Sequence, residues 1–138
     1  AVALTVNPLG DSLRPGPHGG GHSQNYKELD RIASYQKTTS VSAYDPASGE
    51  LVWQQVLPAL TPIASSGNLV TAGDVLFQGT DDGSFYAFHA ATGEQLFKHA
   101  ARRPIRSSPL TYEVNDTQFV AVIATNTVLA LALEPRRP

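Results

Sequence analysis

Apolar residues in this chain fall in short runs alternating with polar ones, and each run ends on a cluster of turn residues. Leu69 to Thr71 leads into Ala72-Gly73-Asp74, Val75 to Gly79 follows and stops at Asp81-Asp82-Gly83, and Ser84 to His89 comes next. Asp-Gly between two hydrophobic runs predicts a hairpin, since both residues suit the backbone of a tight reversal. Ser107 to Val114, the turn Asn115-Asp116 and Gln118 to Ala124 predict a further meander. No stretch sustains a helical period of apolar positions, so the chain is expected to be nearly all β.

The pattern also repeats. Shifting the sequence by 44 residues places Ala43 on Ala87, Gly49 on Gly93, Glu50 on Glu94 and Trp53 on Phe97. The hairpin Ser42-Ala43-Tyr44-Asp45-Pro46-Ala47-Ser48-Gly49-Glu50-Leu51-Val52-Trp53 thus returns as Phe85 to Phe97, and Val128 to Leu133 opens a third copy that Pro135 stops. Four short strands in a repeat of this size match the blade of a β-propeller, whose strands run outward from a central axis.

With the strands of a blade lettered A to D from the axis, Leu69 to Phe97 is one complete blade. The last repeat, from about Ile105, has A, B and C. The first has C and D, with Ala1 to Val6 as its B strand. Residues 1–39 therefore read as a partial blade interrupted by a Gly/Pro-rich insertion loop over Pro8 to Tyr26, and 40–138 as propeller blades. The fold class is an all-β partial propeller of about three four-stranded antiparallel blades. Propellers close with roughly four to eight blades, so the chain is expected to need other polypeptide, either further sequence of its own or more copies.

Composition narrows the chemistry. The chain has 138 residues, 41% of them hydrophobic, and a net charge of −2. That balance gives no footprint for nucleic acid or anionic lipid. With no cysteine, disulfides, thiolate metal sites and cysteine nucleophiles are excluded. No apolar run reaches the roughly 18 residues of a membrane-spanning helix. The absence of methionine and the start at Ala1 lead us to expect a processed chain or a piece of a longer one.

The pattern Ala43-x-Asp45-x-x-Ser48-Gly49-x-x-x-Trp53 resembles the tryptophan-docking motif of the quinoprotein dehydrogenases, eight-bladed propellers that bind pyrroloquinoline quinone (PQQ). In the second copy His89 replaces the aspartate and Phe97 the tryptophan, so the indole N–H is lost there. Gly67 to Thr80 resembles the family segment GxLxTAGxxxFxGT, and Pro109 to Val122 its closing segment PxTYxxxGxQYVAV. The likeness runs from about Ser40 to Leu133. It implies the C-terminal part of a PQQ-dependent alcohol or sugar dehydrogenase, periplasmic or secreted, with PQQ and calcium or a lanthanide held mostly by segments absent from this chain. In such an enzyme an aspartate removes the hydroxyl proton and hydride passes to the quinone. No catalytic residue transfers to this sequence.

The resemblance places Ala64-Ser65-Ser66-Gly67 where many members approach the quinone, so Ser65, Ser66 and Gly67 are the cofactor-contact candidates, against the simpler reading of loop residues satisfying their own backbone. Arg106-Ser107-Ser108, ahead of the last inner strand, could face the same axis or be a solvated strand start. Asp81-Asp82-Gly83 is accounted for by its turn. His18 and His22 have metal-ligand spacing only on a helix, which the three glycines between them and Pro15 and Pro17 oppose, so no metal site is assigned. Neither a nucleophile elbow nor a phosphate loop occurs. Two functions from different classes follow: a portion of a PQQ-dependent dehydrogenase contributing blade walls and ring closure and inactive alone, or a noncatalytic propeller scaffold for protein partners, similar to outer-membrane assembly lipoproteins.

Overall fold

A computed structural model describes residues 2–6, 38–60 and 66–133 of the chain. These form ten strands in three antiparallel sheets and no helix. The first sheet is β1 (Val2–Val6), β2 (Thr38–Tyr44) and β3 (Leu51–Pro58), in that order. The second runs β4 (Asn68–Val70), β5 (Val75–Gly79), β6 (Ser84–His89) and β7 (Gln95–Ala100), and the third β8 (Leu110–Val114), β9 (Thr117–Ala124) and β10 (Thr127–Leu133). The blade read from Leu69 to Phe97 is thus the four-stranded sheet. The segment read as Ala1 to Val6 pairs along β2, Leu4 opposite Ser42. The insertion loop Pro8 to Tyr26, with His18 and His22, lies outside the described residues, as does Ser65. No helix among the described residues is long and apolar enough to cross a membrane.

Successive strands reverse, so each sheet has two ends. The β2–β3, β4–β5, β6–β7 and β8–β9 turns lie at one, called here the turn end. The β5–β6 and β9–β10 turns and the connections between sheets lie at the other, the crossover end. The β8–β9 turn is closed by Asn115 and Asp116, both with positive φ (50° and 59°), the backbone of a two-residue turn whose twist matches that of its strands.

The middle sheet is covered on both faces. Leu76, Tyr86 and Phe88 pack on Val41, Ala43, Trp53 and Leu57 of the first sheet. The alternate residues Phe77, Phe85 and Ala87 pack on Ile105, Val120, Val122 and Ala124 toward the third. A strand buried on both faces carries apolar residues in unbroken runs rather than alternation. That accounts for Val75-Leu76-Phe77 and for Phe85-Tyr86-Ala87-Phe88.

At the turn end the first two sheets are joined through Trp53. Its indole Nε1–H donates to the Ala90 carbonyl at 2.9 Å, and Gln55 Nε2 beside it donates to the Gly93 carbonyl at 2.9 Å. The ring lies against Gly93 so closely that a Cβ there would fall 2.6 Å from Cδ2. Gly93 also has φ of +74°, a conformation that costs an L-residue energy.

The receiving turn keeps its form despite His89. In the first sheet, Asp45 Oδ1 accepts from the N–H groups of Ala47 (2.7 Å) and Ser48 (3.2 Å), while Gly49 N–H bonds the Asp45 carbonyl at 2.8 Å. Those two N–H groups hold the Asp45 carboxyl below the usual carboxylate range. In the second sheet the backbone bond recurs from Gly93 to His89 at 2.8 Å, and His89 Nδ1 accepts from Ala91 N–H at 3.3 Å. The main-chain ring thus sets the turn, and an imidazole nitrogen takes over part of the carboxylate's capping. Phe97, at the second tryptophan position, pairs across from Ala87 but stays 45% exposed at an apolar cleft it shares with Leu131 and Ala132.

Trp53→Ala is expected to lower stability by about 3–5 kcal/mol, as for other buried aromatic truncations. Chemical denaturation of the variant beside the parent measures this, and an unchanged midpoint would place Trp53 outside the core. Gly49 has the same φ (+73°) as Gly93, yet no described atom lies within 4 Å of its Cβ position. Gly93→Ala should therefore destabilise clearly more than Gly49→Ala, because only the first drives a methyl into the indole. Equal melting temperatures for the two variants would show that the ring does not bear on Gly93.

Candidate functional site

The two segments singled out beside the axis precede the inner strands β4 and β8, both at the crossover end. Ser66 is buried, and its hydroxyl is engaged as both donor and acceptor: Oγ donates to the Gly79 carbonyl and accepts from Gln78 Nε2, the latter at 2.6 Å. Gln78, 1% exposed, also donates to the Gly79 carbonyl at 2.6 Å. Ser66 therefore fastens its segment to β5. Gly67 is exposed, but a Cβ on it would lie 2.0 Å from Ser108 Oγ. The structure brings two candidates, Gly67 and Ser108, into contact, and the glycine is needed for the close approach of neighbouring inner strands.

Arg106 and Ser107 have different surroundings. Ser107 Oγ accepts from the Ile123 N–H at 2.8 Å, which ties the start of the inner strand to β9. Arg106 is exposed and lines a cleft with Pro104, Ile123 and Thr125. Thr125 has φ of 58°, an uncommon conformation for a β-branched residue; its N–H bonds the Pro104 carbonyl at 2.9 Å, holding the turn against the connection from the second sheet.

Sequence reasoning missed Asp81. Read as a turn residue, it is 2% exposed and accepts the Leu60 N–H at 2.7 Å. It thereby ties the connection leaving the first sheet to the β5–β6 turn of the second. Asp82 fills the turn role, accepting from Ser84 N–H at 3.0 Å and Ser84 Oγ at 3.1 Å and bonding Thr80 Oγ1. Nothing in Asp81-Asp82-Gly83 marks which carboxylate turns inward, because that depends on a backbone 21 residues away.

A quinone with its metal ion needs carboxylate or carbonyl donors around the cation and a cradle for the rings. Among the described residues no group of three His, Asp or Glu could hold a metal, and the Ser66 hydroxyl is committed to Gly79 and Gln78. The described residues supply sheets packed face to face. No catalytic step is assigned to them.

Over residues 37–135 the chain matches the PQQ_2 family model, described as outer membrane protein assembly factor BamB. It is 40% identical over 85 residues to a quinoprotein ethanol dehydrogenase of Pseudomonas putida, a match covering 60% of this chain and 13% of that protein. The solved structure of quinohemoprotein alcohol dehydrogenase ADHIIG from Pseudomonas putida HK5 superposes with a TM-score of 0.57 at 31% identity, over 66% of this chain and 13% of that one. A europium-containing methanol dehydrogenase gives the same TM-score of 0.57 at 33% identity, over 64% and 15%. The chain thus spans only a small part of the length of the proteins it matches. Its three stacked antiparallel sheets and its match over residues 37–135 make it a member of the PQQ_2 family of β-propeller proteins, with its likeness to quinoprotein alcohol dehydrogenases lying in those blades.

Proposed function

We propose that this chain forms three consecutive blades of a PQQ-dependent dehydrogenase that oxidises alcohols in the periplasm. The observation that carries the reading is the 40% identity to a quinoprotein ethanol dehydrogenase in a chain whose sheets stack face to face. Alcohols are favoured over sugars because the matched enzymes are ethanol, alcohol and methanol dehydrogenases. Bound PQQ, with calcium or a lanthanide, would supply the hydride acceptor. This chain supplies part of the wall that orients the cofactor and excludes water. Of the candidate residues Ser65, Ser66 and Gly67, Ser66 would contact the cofactor through its backbone, since its hydroxyl bonds the Gly79 carbonyl. Alone, the chain is inactive, and the other blades come from further polypeptide or further copies. A second reading, the noncatalytic scaffold, is favoured by the match of residues 37–135 to a family model described as outer membrane protein assembly factor BamB.

Absorbance and mass spectrometry of the purified native particle, before and after reconstitution with PQQ and calcium or europium, separate the two. The dehydrogenase reading expects bound quinone and alcohol-dependent reduction of an artificial acceptor by the assembly, and neither from the 138-residue chain alone. An assembly that stays free of quinone throughout supports the scaffold instead. Ser66→Ala should cost about 1 kcal/mol by removing its hydroxyl's two buried bonds, while Gln78 and the Gly79 carbonyl stay bonded to each other, read from the denaturation midpoint. A silent substitution would remove Ser66 as the anchor of its segment.

A further inference from the structure

Charge is unevenly divided between the two ends of the sheets. At the turn end stand six exposed carboxylates, Asp45, Glu50, Asp74, Glu94, Glu113 and Asp116, with no cation beside them in those turns. Four cationic side chains occur among the described residues: Lys98 on β7, whose ammonium lies 5.1 Å from the Tyr86 ring centroid, and Arg102, Arg103 and Arg106 at the crossover end. All three arginines are exposed. The two carboxylates at that end among the described residues are engaged internally, Asp81 with Leu60 N–H and Asp82 with Thr80 and Ser84.

The loop carrying the arginines is held in place. Ala101 N–H bonds the Gly83 carbonyl at 2.8 Å, Ile105 N–H the Thr80 carbonyl at 3.0 Å, and Thr125 N–H the Pro104 carbonyl at 2.9 Å. Arg102 sits in the left-handed region with φ of 59°, a conformation that non-glycine residues keep only when their surroundings impose it. The guanidinium groups therefore project from a fixed backbone, which lowers the entropy lost when a partner orders them.

We propose that the crossover end is a docking face for an acidic polypeptide, with Arg102, Arg103 and Arg106 as its anion-binding residues. Guanidinium forks match carboxylates in a two-bond geometry that an ammonium does not offer. The separation of charge along the sheets turns this end toward an approaching anionic partner and the other away, which raises association rates. Nucleic acid fits less well, because three arginines make too short a track for a phosphate backbone and the opposite, turn end carries six exposed carboxylates. The inference is independent of the dehydrogenase reading, since it rests on charge and loop geometry alone.

Fluorescence anisotropy of labelled poly-L-glutamate mixed with the native protein tests it. Binding is expected at low salt, weakening as salt rises. It should fall at least about tenfold in Arg102→Glu/Arg103→Glu/Arg106→Glu, as removal of an interfacial charge set does. Glu113→Gln/Asp116→Asn, at the opposite end, should not weaken it. Unchanged emission from Trp53, the single tryptophan, checks that each variant is folded. No binding at low salt, or binding indifferent to the arginine substitutions, overturns the proposal. Tighter binding of a single-stranded oligodeoxynucleotide to the same arginines also overturns it, in favour of nucleic acid.

Discussion

The contact between the Trp53 ring and the Gly93 peptide sets how the first two sheets stand on each other, and the rest of the arrangement follows from it. A flat aromatic surface can lie on a peptide only where no side chain intervenes, so the receiving turn must have glycine at that point. The indole N–H then fixes the rotation of the ring by bonding Ala90, and Gln55 adds a second bond to the same turn. Apolar burial alone would let two sheets slide; directed bonds at one end remove that freedom. With the first sheet fixed, Val41 and Leu57 meet Leu76, Tyr86 and Phe88 in register.

At the other end the ties are polar and buried. Ser66 with Gln78, and Asp81 with Leu60, hold the connection leaving the first sheet against β5 and the β5–β6 turn. The third sheet has no tryptophan junction with the second. It is joined instead through Ile105, whose side chain closes the apolar layer while its N–H bonds Thr80. A Cβ on Gly79 would fall 2.2 Å from Ile105 Cγ2, so the small residue before Thr80 makes room for this junction. The two interfaces thus use the same layering but different fasteners.

Most of the strand plan was legible in the sequence because each strand is short, apolar and bounded by Gly, Asp or Asn. The shift of 44 residues gave the turn equivalence of Gly49 and Gly93, and both have positive φ. The strand at Val2–Val6 was legible from its pattern, although its partner β2 lies more than thirty residues on. The candidate site was less legible. Polar residues near an axis read alike whether they face a ligand or the protein interior, and only the fold shows that the Ser66 hydroxyl meets Gly79. Asp81 could not be told from Asp82 for the same reason. Phe97 carries no N–H to donate, and its half-exposed ring, beside Leu131 and Ala132, is visible only in the fold.

The apolar residues of β5 and β6 in the middle sheet face the first sheet on one side and the third on the other, so this pair stands between the two cores. A distortion imposed on β3 reaches β9 by displacing Phe88 and Tyr86, then their strand neighbours Ala87 and Phe85, before it is felt at Val120. Local damage in such a linear stack decays with each layer it crosses, and unravelling from either flank leaves the middle layer for last.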